Sequence, residues 1–204
     1  MAGMPPVAVL DNPDLDADSS RRDERGPGGV RDSRPGEPRH RISVPDCFLG
    51  RSMNAPLYSW GRYPLIPQQG HACEAIERLP THIADIIGRH RSSLPFGNGR
   101  SYGDSCLAAS DHVLDMRRLD RFIAADWQTG MVRLEAGMTL SQLLDAAIPH
   151  GWFLPVTPGT RFVTLGGAVA NDVHGKNHHR RGTFGCHVKR FGLIRQGEPP
   201  MICS

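Results

Sequence analysis

The sequence has no long apolar run. No stretch approaches the roughly eighteen apolar residues of a membrane-spanning helix. The start of the chain offers only the apolar residues 7–10, where a secretory signal needs about seven or more. Arg21 and Arg22 precede an acidic, glycine-rich stretch, which excludes a twin-arginine export signal. We therefore expect a cytoplasmic protein without a transmembrane segment.

Paired cysteines and basic stripes are also missing. The five cysteines, at positions 47, 73, 106, 186 and 203, include no CxxC pair. Zinc ribbons and disulfide frameworks need closely paired cysteines, so the sequence predicts free thiols in a reducing compartment. The net charge of +3 is spread along the chain and is not interleaved with aromatic residues. No nucleic-acid partner is therefore expected.

Composition divides the 204 residues into three parts. Residues 1–44 are rich in proline and in charges of both signs, and their few apolar residues cannot offset the chain entropy lost on folding. We expect a disordered tail at 1–44, a lead-in segment at 45–70 and a folded domain at 71–204. The folded part is long enough to bury a core of its own.

Short strand and helix patterns follow one another in the folded part, which predicts an α+β fold. A short connection ending in Gly130 joins two apolar runs and predicts a hairpin. Thr81 and Thr139 are expected to cap two amphipathic helices that end near Gly88 and Gly151. A short helix is expected at 166–171, and further strands are expected at 73–78, before the glycines of 95–105, at 113–115, at 152–156 and at 187–194.

The segment 95–105, PFGNGRSYGDS, is the first of two glycine-rich loops. Its glycines at 97, 99 and 103 permit positive φ angles, so that successive N–H groups converge on an anion, and Arg100 adds a full charge. A pyrophosphate is the ligand that suits this chemistry. Two alternatives stay open: a Rossmann fingerprint, although Tyr102 takes the place of its third glycine, and an ordinary glycine-rich turn.

The segment 155–188 combines glycines with histidines and one lysine. Thr164 is expected to cap the short helix, and Gly166 and Gly167 allow a backbone to approach a flat ring closely. His174 and His178 have HxxxH spacing, but Gly175 interrupts a helix there and no acid intervenes, so no metal site is predicted. Histidines 178 and 179 stay open as loop residues without function.

Both segments together resemble the flavin domain of the vanillyl-alcohol oxidase and p-cresol methylhydroxylase superfamily. The words GRSYGD, PGTRFVTLGGA and HGKNHH look like its decaprenylphosphoryl-β-D-ribose oxidase branch. The resemblance runs from about Ser59 to Ser204. It implies a PCMH-type FAD-binding domain of two small α+β subdomains that grip FAD, incomplete at its carboxyl end. The chain is therefore expected to be an amino-terminal fragment that is inactive in isolation.

The resemblance also implies which residues line the cofactor. Arg100 stands where several relatives carry the histidine that attaches flavin covalently, so FAD is expected to be bound without a covalent bond. Tyr102, His174 and Lys176 are implied as catalytic residues, with the roles of His174 and Lys176 left open. The residues implied to bind FAD are Pro95, Phe96, Gly97, Asn98, Gly99, Arg100, Ser101, Tyr102, Gly103, Asp104, Ser105, Gly159, Thr164, Leu165, Gly166, Gly167, Asn171, Asp172, Val173 and His174.

The implied activity is oxidation of a CH–OH group in a sugar or a lipid-linked sugar, with a hydride passing to flavin and the hydroxyl proton to a base. The family also implies a partner reductase. Two alternatives stay open. One is an aldonolactone or alditol oxidase, although those enzymes tend to carry the covalent histidine, and the other is a flavin-binding fragment without catalysis.

Overall fold

The computed structural model describes residues 56–204 and the backbone of Ala8–Val9. Helices and strands are mixed along it, which confirms the α+β prediction. The strands are β1 (Ala8–Val9), β2 (Gln69–Ala72), β3 (Leu94–Phe96), β4 (His112–Asp115), β5 (Phe122–Asp126), β6 (Met131–Leu134), β7 (Phe191–Leu193) and β8 (Met201–Cys203). The helices are α1 (Leu79–His90), α2 (Leu140–Ala147), α3 (Leu165–Ala170) and α4 (His178–Arg181).

A parallel sheet in the order β2-β4-β3 organises the first part of the described chain. Successive side chains of a strand point to opposite faces of the sheet, and those of the central strand β4 are buried on both faces. Val113 packs with Phe96 in one apolar cluster. Leu114 packs with Ile86 of α1 in another. Helix α1 thus covers one face of the sheet, and the first glycine-rich loop leaves from the end of β3.

The β5–β6 hairpin and helices α2 and α3 enclose the largest core. Leu143 of α2 and Leu165 of α3 are fully buried in it. Helix α2 begins with a capping box, in which Thr139 accepts a hydrogen bond from the backbone of Gln142 and Gln142 accepts one from the backbone of Thr139. The predicted hairpin and the predicted cap at Thr139 are therefore confirmed.

The predicted start and end of α1 were wrong. The strand expected at 73–78 lies earlier, in β2, and Ile76–Arg78 forms a 3-10 turn. Pro80 occupies the first turn of α1, where a missing N–H costs no hydrogen bond, so Thr81 lies inside the helix and does not cap it. The helix continues through Gly88 to His90.

Two further strand predictions were also wrong. The segment 152–156 alternates buried and exposed side chains as a strand would, but it forms only an isolated β-bridge at Phe153 and no strand. Pro155 lacks the N–H that a central strand needs. Of the strand expected at 187–194, the structure forms only β7, which pairs with β8.

The predicted domain boundaries stay predictions. Of the expected tail at 1–44, only Ala8 and Val9 belong to the described residues, and they pair in parallel with Met131 and Val132 of β6. Of the expected lead-in at 45–70, residues 56–70 are described. No helix in the described part of the chain is long and apolar enough to cross a membrane.

We predict that Gly130→Ala destabilises the protein. Gly130 has φ of 74°, and a Cβ at this position would overlap the ring of Trp152. The variant combines a backbone cost of about 1 kcal/mol with a steric cost of about 1–3 kcal/mol. Urea denaturation should show the sum of these two losses in the free energy of unfolding. Gly151→Ala is the matched control, because Gly151 has φ of 80° and no neighbouring atom within 4 Å of the added Cβ. Equal losses in the two variants would contradict the packing of Trp152 on this turn.

Candidate functional site

The two glycine-rich segments touch each other at two points. A Cβ on Gly97 would overlap the Oγ1 atom of Thr164, so a glycine is needed for this approach. The Asn98 Nδ2 atom donates a hydrogen bond to the Phe162 carbonyl oxygen at 2.8 Å. Residues that are 64 positions apart therefore form one continuous surface. The sequence predicted that both segments grip one ligand, and the structure brings these residues together.

Two of the three glycines of the first loop adopt the positive φ that an anion nest uses. Gly99 and Gly103 have φ angles of 59° and 65°, whereas Gly97 is not in the left-handed region. Gly97 therefore does not use the positive φ that glycine permits, and its small size serves the contact with Thr164. At Gly99 a Cβ would lie 2.5 Å from the Tyr58 carbonyl oxygen, so no side chain fits there.

Arg100 carries an unused buried hydrogen-bond donor. Its Nε atom is buried and has no hydrogen-bond partner among the described residues. Its guanidinium lies 5.6 Å from the centre of the Phe162 ring, and that of Arg161 lies 5.4 Å from the same ring. Buried donors are nearly always paired in native proteins. A donor without a partner beside a glycine nest fits an anionic group such as a pyrophosphate.

The tip of the first loop is aromatic and open. Tyr102 is 85% exposed and meets the ring of Trp60 edge-on, with ring centres 6.0 Å apart. Trp60 is itself 60% exposed. Trp60 was absent from the predicted site, although the SWGRYP segment that contains it was the first part of the resemblance. A flat apolar ligand or a further protein segment would suit this pair of rings.

Helix α3 is anchored firmly by its first residues. Thr164 accepts a hydrogen bond from the Gly167 N–H at 3.3 Å, which confirms the predicted cap. Leu165 is fully buried. A Cβ on Gly166 would lie 3.1 Å from the Ala136 Cβ, so the small size of Gly166 allows α3 to pack on the preceding loop. A Cβ on Gly167 would come near only the Thr164 hydroxyl, so Gly167 has more open surroundings than Gly166.

The turn after α3 is held by two polar side chains of the predicted site. The Asn171 Nδ2 atom donates to the Gly167 carbonyl at 2.8 Å. Asp172, with φ of 40°, accepts the Gly185 N–H at 2.8 Å. This backbone hydrogen bond, with a second from the Thr183 hydroxyl, lowers the pKa of Asp172. These two residues therefore shape the backbone that leads to His174.

His174 and Lys176 lie on the surface beyond this turn. His174 forms an isolated β-bridge with Thr183, and its ring meets the His178 ring edge-on, with ring centres 5.2 Å apart. Gly175 between them is buried, and a Cβ there would lie 2.7 Å from the Thr157 carbonyl oxygen. The turn 174–176 therefore packs closely against Thr157, and its residues His174 and Lys176 are exposed.

Two of the remaining histidines of this segment, His178 and His187, contact backbone. The His178 Nδ1 atom lies 3.1 Å from the Gly175 carbonyl oxygen, and the His187 Nε2 atom lies 2.8 Å from the Arg181 carbonyl oxygen. These contacts stabilise the short helix α4 and the chain that follows it. They give His178 and His187 a structural role. The sequence had left His178 open as a loop residue without function.

Comparison with known proteins finds a matching family and several similar proteins. Residues 73–197 match the family described as FAD binding domain. The chain is 46% identical over 121 residues to decaprenylphosphoryl-β-D-ribose oxidase of Mycolicibacterium smegmatis, covering 59% of this chain and 26% of that protein. It is 23% identical over 82 residues to a D-lactate dehydrogenase of Anaerostipes hadrus, covering 40% of this chain and 17% of that protein.

A solved structure of alkyldihydroxyacetonephosphate synthase has a similar fold. The TM-score is 0.54 at 17% sequence identity, and the match covers 65% of this chain and 28% of that one. At this identity the likeness concerns the fold alone. The chain spans about a quarter of the length of the oxidase and of the synthase.

We predict that Asp172→Asn lowers stability at neutral pH and that its effect fades in acid. The pKa of Asp172 is lowered in the folded state, so its ionised form stabilises the protein above the unfolded pKa of about 3.9. That contribution is lost as the pH falls through the folded value. Urea midpoints of wild type and variant should converge below about pH 4. Asn tolerates the positive φ at this position.

Asp145→Asn is the control for this pH series. Asp145 lies exposed on α2, and its replacement removes one negative charge without touching the turn after α3. A gap between wild type and Asp172→Asn that stays constant from pH 7 to pH 3 would contradict the role assigned to the Asp172 carboxylate.

Proposed function

Since this chain belongs to the family of FAD-binding domains, we propose that its two glycine-rich loops hold FAD for the oxidation of a CH–OH group in a sugar or a lipid-linked sugar. The family match confirms the resemblance and the cofactor expected from the sequence. The 46% identity to the Mycolicibacterium oxidase supports the proposed class of substrate. The chain spans 26% of that enzyme, so the activity of the whole protein is part of the proposal.

The junction of the two loops is the observation that carries this proposal. Gly97 against Thr164 and Asn98 against Phe162 place the first glycine-rich loop beside the segment that leads into α3. The unpaired Arg100 Nε atom lies in the same loop. One elongated anionic cofactor can contact both segments at once, as the two-loop pattern of the sequence predicts.

Each part of this surface has a proposed task. Backbone N–H groups around Gly99 and Gly103 and the Arg100 guanidinium bind the pyrophosphate. Because residue 100 is arginine, which cannot form the covalent link, the cofactor is held by these contacts alone. FAD, when bound, supplies an acceptor for a hydride. Tyr102 and Trp60 offer ring surfaces beside the first loop.

His174 and Lys176 are proposed to act on the substrate. A neutral imidazole can accept the hydroxyl proton near pH 7, and the exposed position of His174 leaves its ring accessible. The ammonium of Lys176 can orient a phosphate-bearing substrate or stabilise developing negative charge. The expected partner reductase and the expected cytoplasmic location stay predictions.

We predict that Arg100→Met weakens FAD binding, measured by titration of flavin fluorescence against the 204-residue chain. Loss of a charge-assisted hydrogen bond costs about 1.5–3 kcal/mol, which is roughly ten- to a hundredfold in Kd. Arg161→Met is the matched control, because Arg161 makes the same ring contact with Phe162 but has no unpaired buried nitrogen in the described structure. Acid precipitation of the loaded protein should release all the flavin.

Two outcomes would contradict this assignment. Equal affinities of Arg100→Met and wild type would remove Arg100 from the pyrophosphate site. Flavin that stays with the precipitated protein would show a covalent bond. Urea denaturation of both variants separates a loss of binding from a loss of folding.

We predict that His174→Gln strongly slows flavin reduction by a polyprenyl-phosphate ribose. The assay follows bleaching of bound flavin without oxygen, with the remaining segment of the Mycolicibacterium oxidase supplied in trans. Removing a general base typically slows such a step by about 10²–10⁴-fold. His179→Gln is the control, since His179 is exposed in the same segment. Reduction at the same rate in His174→Gln would contradict the proposed proton acceptor, and rapid reduction by the chain alone would contradict its expected inactivity.

A further inference from the structure

We propose that His71, His90 and His112 form a binding site for a divalent transition-metal ion, separate from the flavin site. The three residues belong to β2, the end of α1 and β4. Among the described residues, they are the group whose ligand atoms come together, all within 4.8 Å of one another. None of the three belongs to the histidine-rich segment 155–188.

The sheet register explains why the three rings meet. Gln69 of β2 lies opposite His112 of β4, and His71 is two residues further along β2. Because the side-chain period of a strand is two, His71 lies on the same face of the sheet as Gln69, next to His112. Helix α1 ends beside this face, and the His90 ring stacks on that of His112 with ring centres 3.5 Å apart.

The His71 and His112 rings, which lie within hydrogen-bonding distance, are spaced close to what a zinc site needs. His71 Nε2 and His112 Nδ1 lie 2.9 Å apart. In a tetrahedral site with Zn–N bonds of about 2.0–2.1 Å, ligand nitrogens are about 3.3–3.4 Å apart. The pair therefore has to open slightly, and the stacked His90 ring has to rotate. Both movements lie within the freedom of half-buried side chains.

The neighbourhood of the three rings is compatible with a bound cation. Arg89, which precedes His90 in the chain, is paired with Asp85 one turn before it on α1. A cleft lined by His71, His82, Asp85, Ile86, Arg89 and His90 leaves the cluster accessible to an ion.

The ligand chemistry selects the ion. Three imidazoles without a thiolate favour Zn²⁺, Cu²⁺ or Ni²⁺ over Mg²⁺ and Ca²⁺, which prefer oxygen ligands. A fourth position would remain for water. The ion would tie α1, β2 and β4 together in the sheet from which the first glycine-rich loop leaves. Its proposed effect is structural, because no residue of the flavin site belongs to the cluster.

The test measures Zn²⁺ binding to the whole chain by isothermal titration calorimetry with ZnCl₂. We expect one ion bound by the cluster in wild type and an affinity at least about tenfold lower in His71→Gln/His112→Gln. The matched control is His178→Gln/His179→Gln, which removes two histidines outside the cluster and should keep the affinity. ZnCl₂ should also raise the melting temperature of wild type and of the control, and not that of the cluster variant.

A second measurement needs no variant. Histidine modification by diethylpyrocarbonate, mapped by mass spectrometry, should be suppressed by ZnCl₂ at His71, His90 and His112 and unchanged at the exposed His150. Equal zinc affinity of wild type and cluster variant would overturn the proposal. So would loss of binding in the control variant, protection confined to histidines outside the cluster, or absence of zinc binding by the wild-type chain.

Discussion

The absence of a side chain at Gly97 is the constraint on which the candidate site depends. A single Cβ there would overlap the hydroxyl of Thr164, and the two glycine-rich segments could not touch. The hydrogen bond from Asn98 to the Phe162 carbonyl would then lose its geometry as well. Glycine at this position is required for close packing and not for its backbone freedom, because its φ lies outside the left-handed region.

Thr164 is the other residue of this contact, and its side chain has two roles. Its hydroxyl caps α3 by accepting the Gly167 N–H, and the same atom faces Gly97. Its backbone forms a β-bridge with Thr139, the residue that caps α2. The starts of the two helices are therefore linked to each other and to the first loop. A disturbance at Thr164 would affect the hairpin core and the loop junction together.

The features best predicted from the sequence are those that depend on interactions between nearby residues. The hairpin turn at Gly130 and the caps at Thr139 and Thr164 depend on neighbours within a few residues, and all three are present. The start of α1 was missed because Pro80 and Thr81 are competing start signals one residue apart, and the fixed φ of proline decided the outcome.

The pairing of strands that are far apart in the chain could not be predicted from the sequence. His71 and His112 are 41 positions apart, and only the pairing of β2 with β4 makes them neighbours. The strand expected at 152–156 failed for the same reason. Its alternation of buried and exposed side chains is real, but only Phe153 forms a β-bridge, so the local pattern could not decide the pairing.

Exposure of His174 and Lys176 does not make their turn loose. Gly175 between them is buried against the Thr157 carbonyl, and the Asn177 Nδ2 atom donates to the Pro155 carbonyl at 2.9 Å. The backbone between and directly after the two exposed residues is therefore fixed to the segment at 155–157. A reactive group on a fixed backbone retains much of the positional advantage of a rigid site, since little freedom has to be removed when a substrate arrives. Surface position here is therefore compatible with precise chemistry.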